Sequence, residues 1–155
     1  DWVIIAGYAT GGMLRGICCG TLVFGVSIFF TKPAIHNLGI IFVFMALTSL
    51  VFVMGGLTNG ILAKKFDDVS IVPTFVLTPL TYLGGVFYSI SLLPEIWFNL
   101  SKANPILYMV NGFRYGFYGF TDVQIGISFA ILIFFALALM GINLYLLKKG
   151  KGLRT

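Results

Sequence analysis

The sequence predicts an all-α polytopic membrane protein with four transmembrane helices and a short helical hairpin before the last one. Hydrophobic residues make up 59% of the 155 residues and charged residues only 10%, whereas a soluble domain carries about 25% charged residues. Mean hydropathy is +1.01. Uncharged runs at 69–94 and 123–147 are long enough as helices to cross a hydrocarbon core of about 30 Å. A lipid bilayer therefore surrounds most of the chain.

The first crossing is predicted to start near Thr10. Only 16 uncharged residues separate Arg15 from Lys32, so Arg15 would reach back to the lipid headgroups. Glycines at positions 12, 16 and 20 leave one face of this helix as bare backbone. Such a face allows close helix packing, either within the chain or between two subunits.

The second crossing is predicted from Asn37 to about Leu62. Asn59 lies between two glycines near its end, and its amide is well suited to bond across to a neighbouring helix. His36, directly before this crossing, is typical of a solvated residue in a turn. The adjacent Cys18 and Cys19 predict neither a disulfide nor a metal site, because neighbours on a helix point in different directions.

Residues 66–94 predict the third crossing, a bent helix that follows two acids. Ser70 is expected to cap the helix start, which places Pro73 in the first turn, where a missing N–H costs little. Pro79 lies in the middle of the span. It removes a helix hydrogen bond and frees a carbonyl near Phe75, which must find a partner inside the protein.

A stripe of hydroxyl groups follows from the spacing of Thr74, Thr78 and Thr81, which places all three on one helix face. Either these hydroxyls repair the backbone around Pro79, or they line a polar path. The span is expected to close with Tyr88 near the far membrane interface.

Residues 91–122 are too aromatic and apolar for an aqueous loop. Proline at the first position of a helix predicts two short helices, at about 94–102 and 105–119. Neither is long enough to span, so a re-entrant or interfacial hairpin is expected, followed by the last crossing at 123–147. Within the hairpin, Glu95 and Arg114 are candidates for an ion pair, although Arg114 could instead reach the headgroups.

The basic residues predict the orientation. Seven are assigned to one side, Arg15, Lys64, Lys65, Lys148, Lys149, Lys151 and Arg154; three are assigned to the other, Lys32, Lys102 and Arg114. Because basic residues concentrate on the cytoplasmic side, both ends of the chain are expected in the cytoplasm and the hairpin on the outer face.

Motifs for nucleotide or enzyme chemistry are missing from the sequence. It contains no GxxxxGK[ST] phosphate loop, GxSxG elbow, HExxH or CxxC. Asp67 and Asp68 could be read as a catalytic pair, but the nearby Lys64 and Lys65 favour a locally neutralised turn. We therefore expect a chain that is not an enzyme, has no cofactor of its own and binds no nucleic acid.

Two strings carry a family resemblance: FDDVSIVPTFVLTPLTYLGGVFYSISLLP at 66–94 and NPILYMVNGFRYG at 104–116. They closely resemble the membrane subunit of ABC-2 type exporters, in the branch of bacterial inner-membrane permeases. The resemblance covers essentially all of residues 1–155 as one transmembrane domain. It implies that the four crossings are helices three to six of a six-helix permease, and hence the C-terminal part of a longer subunit.

The resemblance also implies partners. The resemblance implies that two copies of the permease subunit pair as a homodimer within the membrane lipids, and that each rests on a cytoplasmic ATPase that binds ATP and Mg. Candidate ATPase contacts are the residues expected in the cytoplasm: Asp1, Trp2, Lys64, Lys65, Asp67 and Asp68. Candidate path residues are Thr74, Thr78, Thr81 and Tyr82.

The transported substrate stays open among drugs, lipids and glycans. Two other functions also remain open from the sequence. One is a membrane-embedded lipid-modifying enzyme that uses Asp67 or Asp68, and the other is a passive channel or structural membrane subunit.

Overall fold

The computed structural model describes residues 2–32, 35–87 and 94–149, with only the backbone of Phe66. The described elements are all helices: α1 Trp2–Phe30, α2 Leu38–Leu62, α3 Phe66–Ile71, a π-helical segment Val72–Leu77, α4 Thr78–Leu83, α5 Glu95–Lys102, α6 Pro105–Tyr118 and α7 Ile125–Lys148. Asp1, Tyr88, Lys151 and Arg154, which the sequence analysis singled out, lie outside the described residues.

Three helices of the described part, α1, α2 and α7, are long and apolar enough to cross a membrane. They correspond to the predicted first, second and fourth crossings. The predicted third crossing is divided among α3, the π-helical segment and α4, and its last residues lie outside the described part. A fourth crossing therefore stays a prediction.

Helix α1 begins at Trp2 and continues for 29 residues, so the helix itself starts well before Thr10. At 1.5 Å per residue it is about 43 Å long and exceeds a hydrocarbon core of about 30 Å. It packs antiparallel on α2, with Gly12 against Val53 and Gly16 against Ser49. The glycine stripe therefore serves packing within the chain, the first of the two alternatives.

Helices α2, α6 and α7 enclose the main apolar core. Phe44, Val51, Leu107 and Leu132 are among its buried members. Gly112 of α6 lies directly against the ring of Phe44, and this close approach is possible because glycine has no side chain. The two short helices α5 and α6 begin and end within one residue of the predicted ranges 94–102 and 105–119.

The ends of α6 follow its sequence closely. Asn104 caps the helix by accepting a hydrogen bond from the Ile106 N–H at 3.0 Å, and Pro105 occupies the first turn. Gly119 ends the helix with φ +70°, a conformation that glycine adopts without steric cost. Ile106 and Val51 line the same cavity, so the turn between α5 and α6 lies beside the middle of α2.

The start of α3 corrects the predicted cap. The helix begins at Phe66, and Ser70 lies inside it. The Asp68 carboxylate accepts hydrogen bonds from the Lys64 and Lys65 N–H groups at 3.0 and 2.9 Å. A carboxylate is a strong acceptor at the positive end of a helix, so Asp68 takes the capping role expected for Ser70. Pro73 consequently lies in the π-helical segment and not in the first turn of α3.

Candidate functional site

The most unusual element is the helical stretch from Phe66 to Leu83, which we call the broken helix. Its two ends are α-helical, and its middle, Val72–Leu77, is π-helical. Pro79 lies two residues after this segment, at the start of α4, and its missing N–H disturbs the α-helical bonding pattern. Such π-helical turns are uncommon and frequently mark functional sites.

The hydroxyl stripe of the broken helix is turned largely away from the core. Thr74 and Thr78 are exposed, Thr81 is half-buried, and Tyr82 is 58% exposed. The Thr78 hydroxyl donates to the Pro73 carbonyl at 3.2 Å, and the Thr81 hydroxyl donates to the Leu77 carbonyl at 2.7 Å. Two of the three hydroxyls therefore bond to the backbone near the prolines, although neither bonds to the predicted Phe75 carbonyl.

Polar side chains of neighbouring helices bond to both ends of the broken helix. At its start, the Asn59 amide of α2 donates to the Val69 carbonyl at 2.9 Å, as the sequence predicted for Asn59. Near its end, the Asn104 amide donates to the Leu80 carbonyl. Just beyond, Arg114 donates to the Gly85 carbonyl at 2.8 Å.

Between these contacts, a cavity of about 280 Å³ lies beside the broken helix. Val72, Pro73 and Leu77 line it from the broken helix, and Gly55 and Met109 are among the residues opposite. Leu77 also packs against the core, so the π-helical middle is held at its ends and only partly packed underneath. This arrangement leaves room for the segment to change its packing.

Arg114 has a different ionic partner from the one predicted. It forms an ion pair with Asp122 in the loop between α6 and α7, whereas exposed Glu95 pairs with no described residue. The physical reason is chain reversal. The left-handed Gly119 turns the chain back over α6, which brings Asp122 to Arg114.

Asn111, which the sequence analysis did not single out, completes this network and is 1% exposed. Its amide donates to the Val123 carbonyl at 2.7 Å and to the Ser128 hydroxyl at 2.9 Å. Its oxygen accepts from the Asp122 N–H at 2.9 Å. The sequence could have indicated this role, because Asn111 is a polar amide among apolar residues of α6, and such a group needs hydrogen-bond partners when it is buried.

Asn143 forms a second buried contact that the sequence analysis missed. It is the only amide side chain in α7 and is 0% exposed. It donates to the Met54 carbonyl at 2.9 Å and accepts from the Thr58 hydroxyl at 2.9 Å. A lone amide in an apolar span indicates such a bond between helices.

The candidate ATPase contacts lie toward one end of the bundle. Ile5 near the start of α1, Met54 in the second half of α2 and Leu147 at the end of α7 share one apolar cluster. Trp2, Lys64, Lys65 and Asp67 are exposed. Asp68 is half-buried and already bonds to the backbone, so its role is at least partly structural.

Comparison with known proteins identifies the family. The model of the ABC-2 type transporter family matches residues 1–118. The chain belongs to the ABC-2 type transporter family. This confirms the resemblance drawn from the two sequence strings.

The ABC-2 relatives include the inner membrane transport permease YadH of Escherichia coli K12, of Escherichia coli O157:H7 and of Shigella flexneri. Each is 51% identical over 153 residues, which is 99% of this chain. The chain spans 60% of the length of these relatives. No solved structure matches it.

Within this ABC-2 chain, the described residues contain no group of three or more His, Cys, Asp or Glu side chains that could hold a metal ion. The distinctive polar groups instead bond helices to one another. The arrangement is suited to holding helices in defined positions around the broken helix.

Proposed function

We propose that this chain is the membrane-spanning permease part of an ATP-driven exporter in the bacterial inner membrane. It would form the translocation path and couple to a separate cytoplasmic ATPase subunit, which would bind ATP and Mg. Family membership and the name of the permease relatives support this proposal. The structural observation that carries it is the broken helix, which is bonded at both ends and only partly packed in its middle.

The exposed face of the broken helix is the proposed path. Thr74, Thr78 and Tyr82 are exposed in a single chain, and a second permease subunit facing them would enclose a polar surface. We propose a homodimer for this reason. Thr81 contributes at the edge, where its hydroxyl is already bonded to the backbone.

The proposed topology has four crossings, with both ends in the cytoplasm and the α5–α6 hairpin re-entering from the outside. The position of Ile106 beside the middle of α2 supports a re-entrant hairpin. The exposed Lys32 and Glu95 would then lie outside, whereas Lys102 ends α5 beside the turn at the inner tip of the hairpin. In a protein whose native cysteines are replaced, Lys32→Cys and Glu95→Cys should react with an impermeant maleimide on intact cells, and reaction only after permeabilisation would refute this topology.

Coupling to the ATPase is assigned to the cytoplasmic residues Trp2, Lys64, Lys65 and Asp67, with Asp68 fixing the turn that presents them. Asp1 is included in this assignment. Movement of the ATPase subunits would push on this end, and the broken helix would carry the change into the membrane. Such a mechanism needs two arrangements of the helices with different affinity for substrate.

The test is purification of the natural permease from its native host with whatever binds to it. A phosphate-loop ATPase should copurify, and the double variant Lys64→Glu/Lys65→Glu should lower its retention or its ATP hydrolysis. The matched control is Lys148→Glu/Lys149→Glu, which makes the same charge change at the C-terminal end of α7. Absence of any ATPase, together with ion conductance or lipid modification by the permease alone, would replace this proposal with a channel or an enzyme.

A further inference from the structure

An unpaired arginine lies halfway along α1. Arg15 is exposed, and its guanidinium makes no hydrogen bond or ion pair with any described residue. It lies about 20 Å along the helix from Trp2 and about 8 Å beyond Thr10, where the membrane crossing is predicted to start. A cation at such a depth requires water, a phosphate group or a carboxylate as partner.

An apolar cleft begins beside Arg15. Its volume is about 450 Å³, and its walls include Gly16, Gly20, Phe24, Met45 and Phe117. Gly16 and Gly20 lie against Ser49 and Met45 of α2, and the cleft opens beside this contact. From Gly16 to Ser27 the cleft follows α1 for about 17 Å, close to half of a hydrocarbon core of about 30 Å.

Arg15 is joined to this cleft by a second cavity. That cavity has a volume of about 400 Å³, is lined by Arg15, and shares Gly16, Cys19, Thr48 and Ser49 with the cleft. The Thr48 side chain lines both cavities, and its hydroxyl is buried without a hydrogen-bond partner among the described residues. A cation therefore stands at one end of an apolar groove, and a rotation of the Thr48 side chain would add an unused hydroxyl.

We propose that this groove binds one anionic phospholipid. Its phosphate binds Arg15, its glycerol ester accepts a hydrogen bond from Thr48, and one acyl chain fills the cleft. Guanidinium groups bind phosphate through two parallel hydrogen bonds, and basic pockets between membrane helices bind anionic headgroups. The proposal requires only that α1 crosses a membrane, so it does not depend on the exporter function.

Charge argues against a second copy of the chain as the occupant. The five acidic residues of the sequence stand at positions 1, 67, 68, 95 and 122. None of them lies within α1, α2 or α7. A second copy could cover the apolar cleft, but its membrane spans offer no carboxylate to Arg15.

The experiment measures lipid retention by the purified natural protein with native mass spectrometry. Phosphatidylglycerol should be retained in preference to phosphatidylcholine. Arg15→Gln should reduce the retained phosphatidylglycerol about ten-fold, the effect of losing one charged hydrogen-bonded contact. Arg15→Lys should reduce it less, and Thr48→Val should reduce it by a smaller factor than Arg15→Gln.

Two matched controls separate the site from general attraction. Lys32→Gln removes an exposed cation at the far end of α1 and should leave retention unchanged. Cys19→Trp fills the cleft and should abolish retention, whereas Cys18→Trp places the same side chain on the exposed neighbour that does not line the cleft. Because the cysteine pair leaves every charge unchanged, it also tests the site if Arg15→Gln fails to fold.

Three results would overturn the proposal. Unchanged retention in Arg15→Gln and Cys19→Trp would mean that protein or nothing fills the cleft. Equal losses in Arg15→Gln and Lys32→Gln would indicate diffuse electrostatic attraction. Oxidative cross-linking of two copies through Cys19, but not through Cys18, would identify the cleft as a contact between subunits.

Discussion

Arg114 on α6 and Asp122 in the loop before α7 form an ion pair whose side chains are only 17% and 7% exposed. The same arginine also donates to the Gly85 carbonyl beyond α4. One side chain therefore joins the end of the broken helix, the hairpin and the start of α7. This arginine thereby holds the chain just beyond Leu83, the last residue of the broken helix.

The first prediction concerns this ion pair. Asp122→Asn should destabilise the protein by about 3 kcal/mol, because it leaves Arg114 charged, largely buried and without its ionic partner. The exchange Arg114→Asp/Asp122→Arg should recover only part of the stability, since it cannot restore the bond to Gly85. Thermal unfolding in detergent at equal protein levels measures both effects.

Glu95 provides the control for that prediction. Glu95→Gln should leave stability unchanged, because exposed Glu95 makes no ion pair with a described residue. Rescue of Arg114→Glu by Glu95→Arg would contradict the observed pairing and restore the pairing expected from the sequence.

The second prediction concerns the contact between α6 and α2. Gly112→Ala should cost about 1–3 kcal/mol, because its methyl group would overlap the buried Phe44 ring. Gly141→Ala is the control, since no atom lies within 4 Å of a Cβ there, and alanine favours the helix. Equal unfolding temperatures for the two variants would show that α2 and α6 do not pack as described.

Much of the fold could be predicted because its signals are local. Asn37 and Leu62 bracket α2 almost as expected, and Asn104 followed by Pro105 fixed the start of α6. The uncharged run before the basic tail similarly predicted α7. Each of these boundaries depends on a cap, a proline or the length of an apolar segment.

The candidate site was harder to predict because it depends on contacts between distant residues. The partner of Arg114 was missed since the Gly119 turn, and not helix length, decides which acid reaches it. The cap of α3 was predicted at Ser70 but is made by the Asp68 carboxylate. The sequence analysis had assigned Asp68 only to a charged turn with Lys64 and Lys65. The π-helical segment depends on two prolines six residues apart, and simple spacing rules for an α-helix do not describe it.

The third prediction concerns the buried amide between α7 and α2. Asn143→Leu should lower the free energy of unfolding by about 1 kcal/mol, because hydrogen bonds between membrane helices contribute about 0.6 kcal/mol on average and up to about 1.7. The single Thr58 hydroxyl hydrogen is within reach of both Asn143 and the Met54 carbonyl, at 2.9 Å, and can donate to that carbonyl once Asn143 is replaced, which limits the loss.

A double-mutant cycle with Thr58→Val isolates the Asn143–Thr58 contact. The two substitutions should be less than additive, because each removes the same hydrogen bond. Strictly additive unfolding energies would argue against this bond in the membrane.

The fourth prediction distinguishes the two neighbouring acids of the turn. Asp68→Ala should expose the Lys64 and Lys65 amides to faster hydrogen exchange and cost about 1 kcal/mol, because it removes the helix cap. Asp67→Ala should change neither, since exposed Asp67 bonds to no backbone group of the described part. If Asp67→Ala lowers ATPase stimulation and Asp68→Ala does not, the two acids have separate roles. Equal hydrogen-exchange rates of the Lys64 and Lys65 amides in both variants would show that Asp68 does not cap the helix.

The last prediction separates structure from transport on the hydroxyl stripe. Thr78→Val and Thr81→Val each remove a hydroxyl that bonds to the backbone, and each should lower stability by about 1 kcal/mol. Thr74 is exposed, and its hydroxyl makes no hydrogen bond with a described residue. Thr74→Val should therefore leave thermal unfolding unchanged, and a polar path requires that it alter substrate-dependent ATP hydrolysis of the complex with its ATPase.

Val76→Thr is the converse control, since it adds a hydroxyl at an exposed position of the same segment outside the stripe. Normal folding and unaltered ATP hydrolysis in Thr74→Val, combined with destabilised Thr78→Val and Thr81→Val, would assign the hydroxyls to backbone repair around the prolines and remove the stripe from the proposed path.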